Sequence, residues 1–151
     1  MGFQKGQAAL DFLMTYGWAI ALVVIIAGVL FALGIFDVSN FVGSKAAGFS
    51  GVAVKGWKLD TAGNLELKVT NEVGNLITIN NVTATIGTNS TTNSTAIPLA
   101  VGEDSGSITL SGFSSQSAGT GYTAKVIITY TDRSSDFQYT STGKLNGKAT
   151  E

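Results

Sequence analysis

The hydrophobic and polar positions divide the chain into two unequal parts. Between Asp11 and Asp37 no residue is charged, and the 25 residues from 12 to 36 are almost entirely apolar. As a helix rising 1.5 Å per residue they would extend about 37 Å, more than the roughly 30 Å of a bilayer's hydrocarbon core. No proline interrupts the run, which therefore predicts a helix able to cross a membrane with some tilt.

The pattern changes over residues 38–151, where apolar and polar side chains alternate. Period-two alternation with Val, Ile, Thr and Tyr is typical of half-buried strands, and clusters of Gly, Asn, Asp and Ser separate them. We therefore predict an α+β chain: a long hydrophobic helix, then an all-β head of the Ig-like β-sandwich type, with a small barrel as the alternative. The alternating positions are Leu65, Leu67, Val69, Ile108, Leu110, Tyr122, Ala124, Val126, Ile128, Tyr130, Phe137 and Tyr139.

The alternation changes phase once in the middle of the head. Apolar positions are odd up to Ile79 and even from Val82 onward, so the change falls at Asn80–Asn81. A single strand needs a bulge there to keep its apolar residues inward, and a tight turn between two strands is the alternative. We favour the bulge.

Three polar segments of the head are predicted to lie at the surface. Residues 88–95 read TNSTTNST and predict a loop without apolar residues. Residues 111–121 predict a second loop in which only Phe113 packs. The C-terminal tail, residues 145–151, is predicted to be short and exposed.

The composition excludes several functional classes. The chain has no Cys and no His, which removes disulfides, thiolate metal sites and the usual general base. A net charge of −1 argues against nucleic-acid binding. The close carboxylates, Glu103–Asp104 and Asp132 with Asp136, are predicted to lie in turns. We expect no catalytic residue, no cofactor and no metal site, with a calcium site at 103–105 as the weaker alternative.

The residues before the apolar run favour a retained helix over a conventional signal peptide. A secretory signal has an apolar region of 7–15 residues followed by a small-residue cleavage site, whereas this run is longer and no A-x-A site follows it before Asp37. Lys5 precedes the run and acidic residues follow it. The positive-inside tendency therefore places the N-terminus in the cytoplasm and the head outside.

The segment 5–12, KGQAALDF, resembles the processing motif of archaeal type IV pilins, whose precursors carry class III signal peptides. The helix start at 13–20, LMTYGWAI, is also similar to that family. In the family a short basic leader ends in Gly, and a prepilin peptidase cuts directly after it. The resemblance implies cleavage between Gly6 and Gln7, with Asp11 as the fifth residue of the mature chain.

The resemblance also implies the organisation and partners of the protein. Residues 1–6 would be the cleaved leader, 7–37 the transmembrane and filament-core helix, and 38–151 the extracellular β-sandwich head. The subunit would sit in the cytoplasmic membrane before a secretion ATPase and a membrane platform protein assemble it. The product would be a helical homopolymer, a type IV adhesion pilus at the cell surface.

Within the helix, two features are candidates for assembly. After cleavage, the Asp11 carboxylate would lie four residues from the new amino group of Gln7, and it could pair with its own or a neighbour's N-terminus. A carboxylate favoured by the helix macrodipole is the alternative. Four small residues fall within about 60° of one another at 100° per residue, which favours close helix packing, although Gly and Ala are common in membrane helices. They are Gly17, Ala21, Gly28 and Ala32.

Three N-x-[ST] sequons lie in the head, at Asn81, Asn89 and Asn93. We expect Asn89 and Asn93, in the polar segment, to be better glycan acceptors than Asn81, which lies in an apparent strand. Chance occurrence in an Asn-, Ser- and Thr-rich chain is the alternative.

Two other functions are compatible with this sequence. The chain could be a monomeric, single-pass, membrane-anchored binding module, which would need no cleavage. It could also be a minor pilin or an archaellin-type filament subunit. An enzyme is not expected.

Overall fold

The computed structural model describes residues 3–33 and 43–151, leaving aside the side chains of residues 3–5. The chain divides into two compact units, Met1–Val38 and Ser39–Glu151. Each unit is described by itself.

The first unit is a single long helix, α1 (Phe3–Ala32), of 30 residues. Over Gly6–Ala32 it is long and apolar enough to cross a membrane, and none of that stretch is buried within the chain. This confirms the predicted membrane-capable helix. Its predicted end near residue 37 lies outside the described residues.

The second unit is the head, and its described residues form nine strands. The strands are β1 (Lys45–Ala47), β2 (Val52–Leu59), β3 (Asn64–Asn71), β4 (Ile77–Ile86), β5 (Asn89–Asn93), β6 (Ile97–Leu99), β7 (Ile108–Ser111), β8 (Gly121–Asp132) and β9 (Gln138–Lys148).

All strand pairs in these sheets are antiparallel, and they form two sheets. The larger sheet has the order β1-β9-β8-β4-β5, and β6 pairs with the first residues of β4 on the same edge as β5. The smaller sheet has the order β2-β3-β7. The α+β prediction, with a β-sandwich head, is therefore confirmed.

The core lies between the two sheets and follows the predicted alternation. Along β8 every second side chain from Tyr122 to Tyr130 is buried, and Leu65, Leu67 and Val69 of β3 face them from the smaller sheet. Because both inner faces are apolar, the head has a hydrophobic core of its own without any disulfide.

The phase change in β4 is a β-bulge, as predicted. The strand continues from Ile77 to Ile86, and its register against β8 shifts between Ile79 and Asn81. The extra residue, Asn80, donates a hydrogen bond from Nδ2 to Thr131 Oγ1 at 2.8 Å. The bulge keeps the apolar side chains inward on both sides of the shift.

Residues 112–120 form the predicted loop between β7 and β8, and Phe113 packs into the core as expected. The Phe113 backbone lies against Gly63, whose φ is +87°. A Cβ at Gly63 would approach within 2.1 Å of the Phe113 carbonyl oxygen, so only glycine fits there.

The predicted loop at 88–95 is wrong, because most of it forms strand β5. The strand lies at a sheet edge, where neither face needs an apolar side chain. On the outer face the hydroxyls of Thr83 and Thr92 lie 2.8 Å apart across the β4–β5 pair. On the other face Thr91 Oγ1 donates to a main-chain carbonyl of β7. Cross-strand Thr pairs and strand-favouring Thr therefore stabilise a fully polar strand.

The predicted exposure of the tail, residues 145–151, is also wrong. Strand β9 continues to Lys148, Leu145 and Ala149 are buried, and the Thr150 amide donates to the Leu59 carbonyl at 2.8 Å. The C-terminal residues therefore join the two sheets.

Phe137 and Tyr139 are exposed, contrary to the half-buried strand predicted for them. Strand β9 begins between them, and their side chains are 67% and 44% exposed. Tyr139 stacks on Tyr130 with ring centroids 5.8 Å apart, at the end of the sandwich where the core closes.

One buried amide ties three segments together at that end of the head. Nδ2 of Asn71 donates to the carbonyls of Asn75, Leu99 and Ala100 at 2.7, 3.0 and 3.1 Å, and its Oδ1 accepts from the Val73 amide at 2.9 Å. The side chain is 1% exposed, so water cannot replace these bonds.

We expect Asn71→Ala to lower the free energy of unfolding of the head by roughly 1–3 kcal/mol, because buried carbonyls and one amide lose their partner. Asn81→Ala is the matched control: no side-chain hydrogen bond is found for Asn81 in the described head, so the loss should stay below about 0.5 kcal/mol. Urea denaturation followed by fluorescence measures both, and equal losses would contradict the assignment.

Candidate functional site

The predicted processing site lies within the first turns of α1. The helix begins at Phe3, so Gly6 closes the first turn, Gln7 opens the second, and Asp11 falls in the third. Asp11 is exposed. In the uncut chain Asp11 therefore lies two turns beyond the start of the helix, where the macrodipole effect is weak, and removal of residues 1–6 would make it the fifth residue, at the start of the second turn.

The predicted stripe of small residues lies on an open surface. A Cβ built at Gly17 or Gly28 would meet no other side chain or distant backbone within 4 Å. Ala21 and Ala32 are exposed as well. Within α1 this stripe is therefore an open surface that a neighbouring helix or lipid can contact.

The apolar surface of α1 is not restricted to that stripe. Side chains on all sides of the helix are more than 45% exposed, including Phe12, Trp18, Val23 and Phe31. A helix that is apolar all round is typical of a membrane span or the core of an assembly. A membrane and the interior of a larger assembly are thus environments that fit it.

The three sequon asparagines occupy different positions in the larger sheet. Asn89 is exposed, and its Nδ2 donates only to the Ser114 hydroxyl at 2.9 Å. Asn93 is half-buried, and its Nδ2 donates to the main-chain carbonyl of Thr109 in β7 at 2.9 Å. Asn81 is half-buried in β4, opposite Thr129 of β8 and one residue before the pairing with β5 begins at Val82. Asn89 is the most accessible of the three, while Asn93 holds the two sheets together.

The close carboxylates serve as hydrogen-bond acceptors in loops. Asp104 accepts from the Thr70 hydroxyl, and Glu103 Oε2 accepts from the Ala100 amide at 2.8 Å. Within residues 3–33 and 43–151 no group of three or more His, Cys, Asp or Glu side chains could hold a metal ion. The calcium alternative at 103–105, which would also use backbone oxygens, stays a prediction.

Asp132 organises the hairpin that joins β8 to β9. Its Oδ1 accepts from the Ser134 hydroxyl at 2.7 Å and the Ser134 amide at 2.8 Å, while Oδ2 accepts from Asn75 Nδ2 at 3.1 Å. Hydrogen bonds from the Ser134 side chain and backbone hold the pKa of the Asp132 carboxyl below its usual value. These hydrogen bonds fix the hairpin to the turn before β4.

Comparison with known proteins adds no family assignment. No protein-family model matches the sequence, and a search of curated proteins found no significant relative. The functional interpretation therefore depends on the residues and on the geometry above.

Acidification should destabilise the head through Asp132. Its pKa is lowered by folding, so the stabilisation is complete above the unfolded pKa near 4 and is lost as the pH falls through the folded pKa. Asp60 adds to the same trend, because hydrogen bonds from the backbone and side chain of Asn64 lower its pKa. We expect the melting temperature to fall below pH 4, and to fall less steeply in Asp132→Asn.

Asp136→Asn is the control for that prediction, since no side-chain hydrogen bond is found for Asp136 in the described head. Its melting temperature should follow the wild-type pH profile between pH 6 and 2. Identical profiles for wild type and Asp132→Asn would show that Asp132 contributes nothing to the acid dependence.

Proposed function

We propose that this chain is the precursor of a structural filament subunit of the archaeal type IV pilin kind. A prepilin peptidase removes residues 1–6 after Gly6, and the mature protein polymerises through its N-terminal helix into an extracellular adhesion pilus. The single observation that carries the proposal is the KGQAALDF motif at the start of a helix that is apolar and exposed on all sides.

The exposed helix supports polymerisation because it has two stable environments. In lipid its attraction to other helices is weak, since the lipid tails are as apolar as its side chains. Outside the membrane, burying on the order of 2,000 Å² of apolar surface at about 25 cal/mol per Å² favours association by tens of kcal/mol relative to water. Such a polymer would not dissociate on its own. Extraction of each helix from lipid would need energy from a secretion ATPase acting through a membrane platform protein.

The positions of Asp11 and the small residues support the same assembly. Cleavage would make Asp11 the fifth residue, about one helical turn from a new amino group that its carboxylate can pair with on its own chain or a neighbour's. An unpaired carboxylate in an apolar filament core is costly, so the pairing would favour correct docking. Gly17 and Gly28 would let neighbouring helices approach closely on the open face.

The head supports the proposal by folding around its own core. Its two sheets bury their apolar faces against each other, so it can be displayed outside the membrane whether or not the helix is packed. Its surface is rich in Ser, Thr and Asn and carries few charges, which suits a protein exposed to the environment without disulfides.

The processing step predicts that Gly6→Val nearly abolishes removal of the leader and the appearance of the protein in fibres. In the folded chain a Cβ at Gly6 would meet nothing within 4 Å, so the substitution leaves the helix unchanged and acts on the peptidase. Intact-mass measurement on membranes of the native cells should find the full-length precursor accumulating.

Ala9→Ser is the matched control, because it lies inside the motif and is closer to the residue that the pilin family often has there. It should be cut and assembled like wild type. Fibres built from uncut Gly6→Val protein would contradict the proposal. They would also contradict any role of residues 1–6 as a cleaved leader.

The head geometry predicts where glycans are attached in a surface filament. Asn89 lies exposed on an edge strand and gives up only one side-chain hydrogen bond, whereas Asn81 is half-buried within the longer strand β4 and pairs with Thr129 of β8. Glycopeptide mass spectrometry of the native protein should find higher occupancy at Asn89 than at Asn81. Occupancy at Asn81 with Asn89 unmodified would contradict this assignment.

A further inference from the structure

The β8–β9 hairpin displays an aromatic side chain on an ordered support. Phe137 is 67% exposed, although its carbonyl accepts from the Asp132 amide at 3.0 Å and the Asp136 amide donates to the Asp132 carbonyl at 2.8 Å. The start of the hairpin is also bound to the residue before β4, since the Arg133 amide donates to the Leu76 carbonyl at 2.9 Å. The ring is therefore an apolar surface whose burial against a second molecule would be favourable.

The hairpin also carries negative charge beside the aromatic ring. Asp136 directly precedes Phe137, is exposed, and has a positive φ of 56°, which turns the chain sharply at this point. The neighbouring cation, Arg133, donates from Nε to the Thr78 hydroxyl at 2.8 Å rather than to a carboxylate. The hairpin tip, residues 133–137, thus presents an apolar ring next to a carboxylate without an ion pair in the described head.

An apolar groove bordered by positive charge lies on the outer face of the same sheet. It has a volume of about 300 Å³ and an almost wholly apolar lining. Its lining residues are Ala47, Gly48, Lys125, Thr142, Gly143 and Lys144. The groove forms where β1 leaves the sheet at Gly48, beside β9.

Two lysines flank this groove without a counter-ion. Lys125 and Lys144 are exposed and directly opposite each other in the β8–β9 register. Like charges directly opposite destabilise a strand pair. In the described head the ion pairs are Lys55–Glu72 and Lys58–Glu66, on the smaller sheet, so the two flanking lysines lack a carboxylate there.

We propose that the hairpin tip of one subunit docks into this groove of a second copy of the same chain. Phe137 would enter the apolar groove, and Asp136 would pair with Lys125 and Lys144. The contact would relieve the repulsion between the lysines and cover the exposed ring. This inference rests on the proposed function, because it describes how heads meet in the filament.

The two surfaces cannot meet within one head. Asp136 lies two residues before β9, and the strand then extends about 20 Å from Gln138 to Lys144. The contact therefore joins different patches of two subunits. Such a head-to-tail contact propagates into an open filament unless its rotation closes a ring.

The test uses wild-type filaments sheared from native cells and a carbodiimide, which joins a carboxylate to an amine only where they touch. Peptide mass spectrometry should recover Asp136 joined to Lys125 or Lys144. Because of their separation within one chain, such a peptide comes from two subunits. Filaments that are cross-linked elsewhere, or to another protein at Lys125 and Lys144, but not between these residues, would overturn the inference.

Paired cysteines provide a second measurement in a chain that has no cysteine of its own. Asp136→Cys combined with Lys144→Cys should give a ladder of disulfide-linked multimers that a reductant removes. The matched control combines Asp136→Cys with Lys68→Cys, an exposed lysine of β3, and should stay monomeric in denaturing gels. Equal ladders from both pairs, or filaments without a ladder from the first, would contradict the contact.

These outcomes separate the two proposals. The chain present in fibres without the cross-link overturns only the hairpin–groove contact. The chain absent from fibres overturns the proposed function, and the contact with it.

Discussion

A helix with apolar side chains on every side is unstable in water, and the proposed function of this protein depends on that constraint. Along Gly6–Ala32 the backbone hydrogen bonds are satisfied within the helix, but the side chains have no cover from the rest of the described chain. Lipid provides one cover and neighbouring helices provide the other. In the proposed function the protein begins in lipid as a membrane precursor and ends among neighbouring helices as a filament subunit.

The head has the opposite property, because its fold needs no partner. Its core is closed between two sheets, and buried polar groups such as Asn71 and Ser141 have hydrogen bonds that join separate strands. In the proposed assembly the helices therefore supply most of the free energy of association. The heads contribute the surface that meets the environment and, through the hairpin and the groove, contacts that orient one subunit against the next.

The sequence predicted the elements whose pattern is local. The helix, the buried faces of β3 and β8, the bulge at Asn80 and the packing of Phe113 follow from periodicity alone. Strand β5 was missed because it is polar on both faces and is stabilised by cross-strand Thr pairs that only the fold creates. The end of β9 was missed because two of its last three inward positions are glycines, Gly143 and Gly147, which interrupt the apolar alternation. Glycine is required at 143, because a Cβ there would lie 2.5 Å from the Phe49 ring. The hydrogen-bond partners of Asn93 and Asp132 lie far from them in sequence, so only the fold reveals them. The motif at 5–12 is continuous and could be recognised from the sequence.

The most direct test of the central claim is the identity of the first residue of this chain in surface fibres. Fibres sheared from native cells are purified, and the N-terminal peptide of this chain is identified by mass spectrometry. The account predicts a peptide that begins at Gln7 and comes from the fibre fraction. A chain that still begins at Met1 or Gly2 and is found only in membranes would contradict it, and would leave a monomeric anchored binding module as the better description.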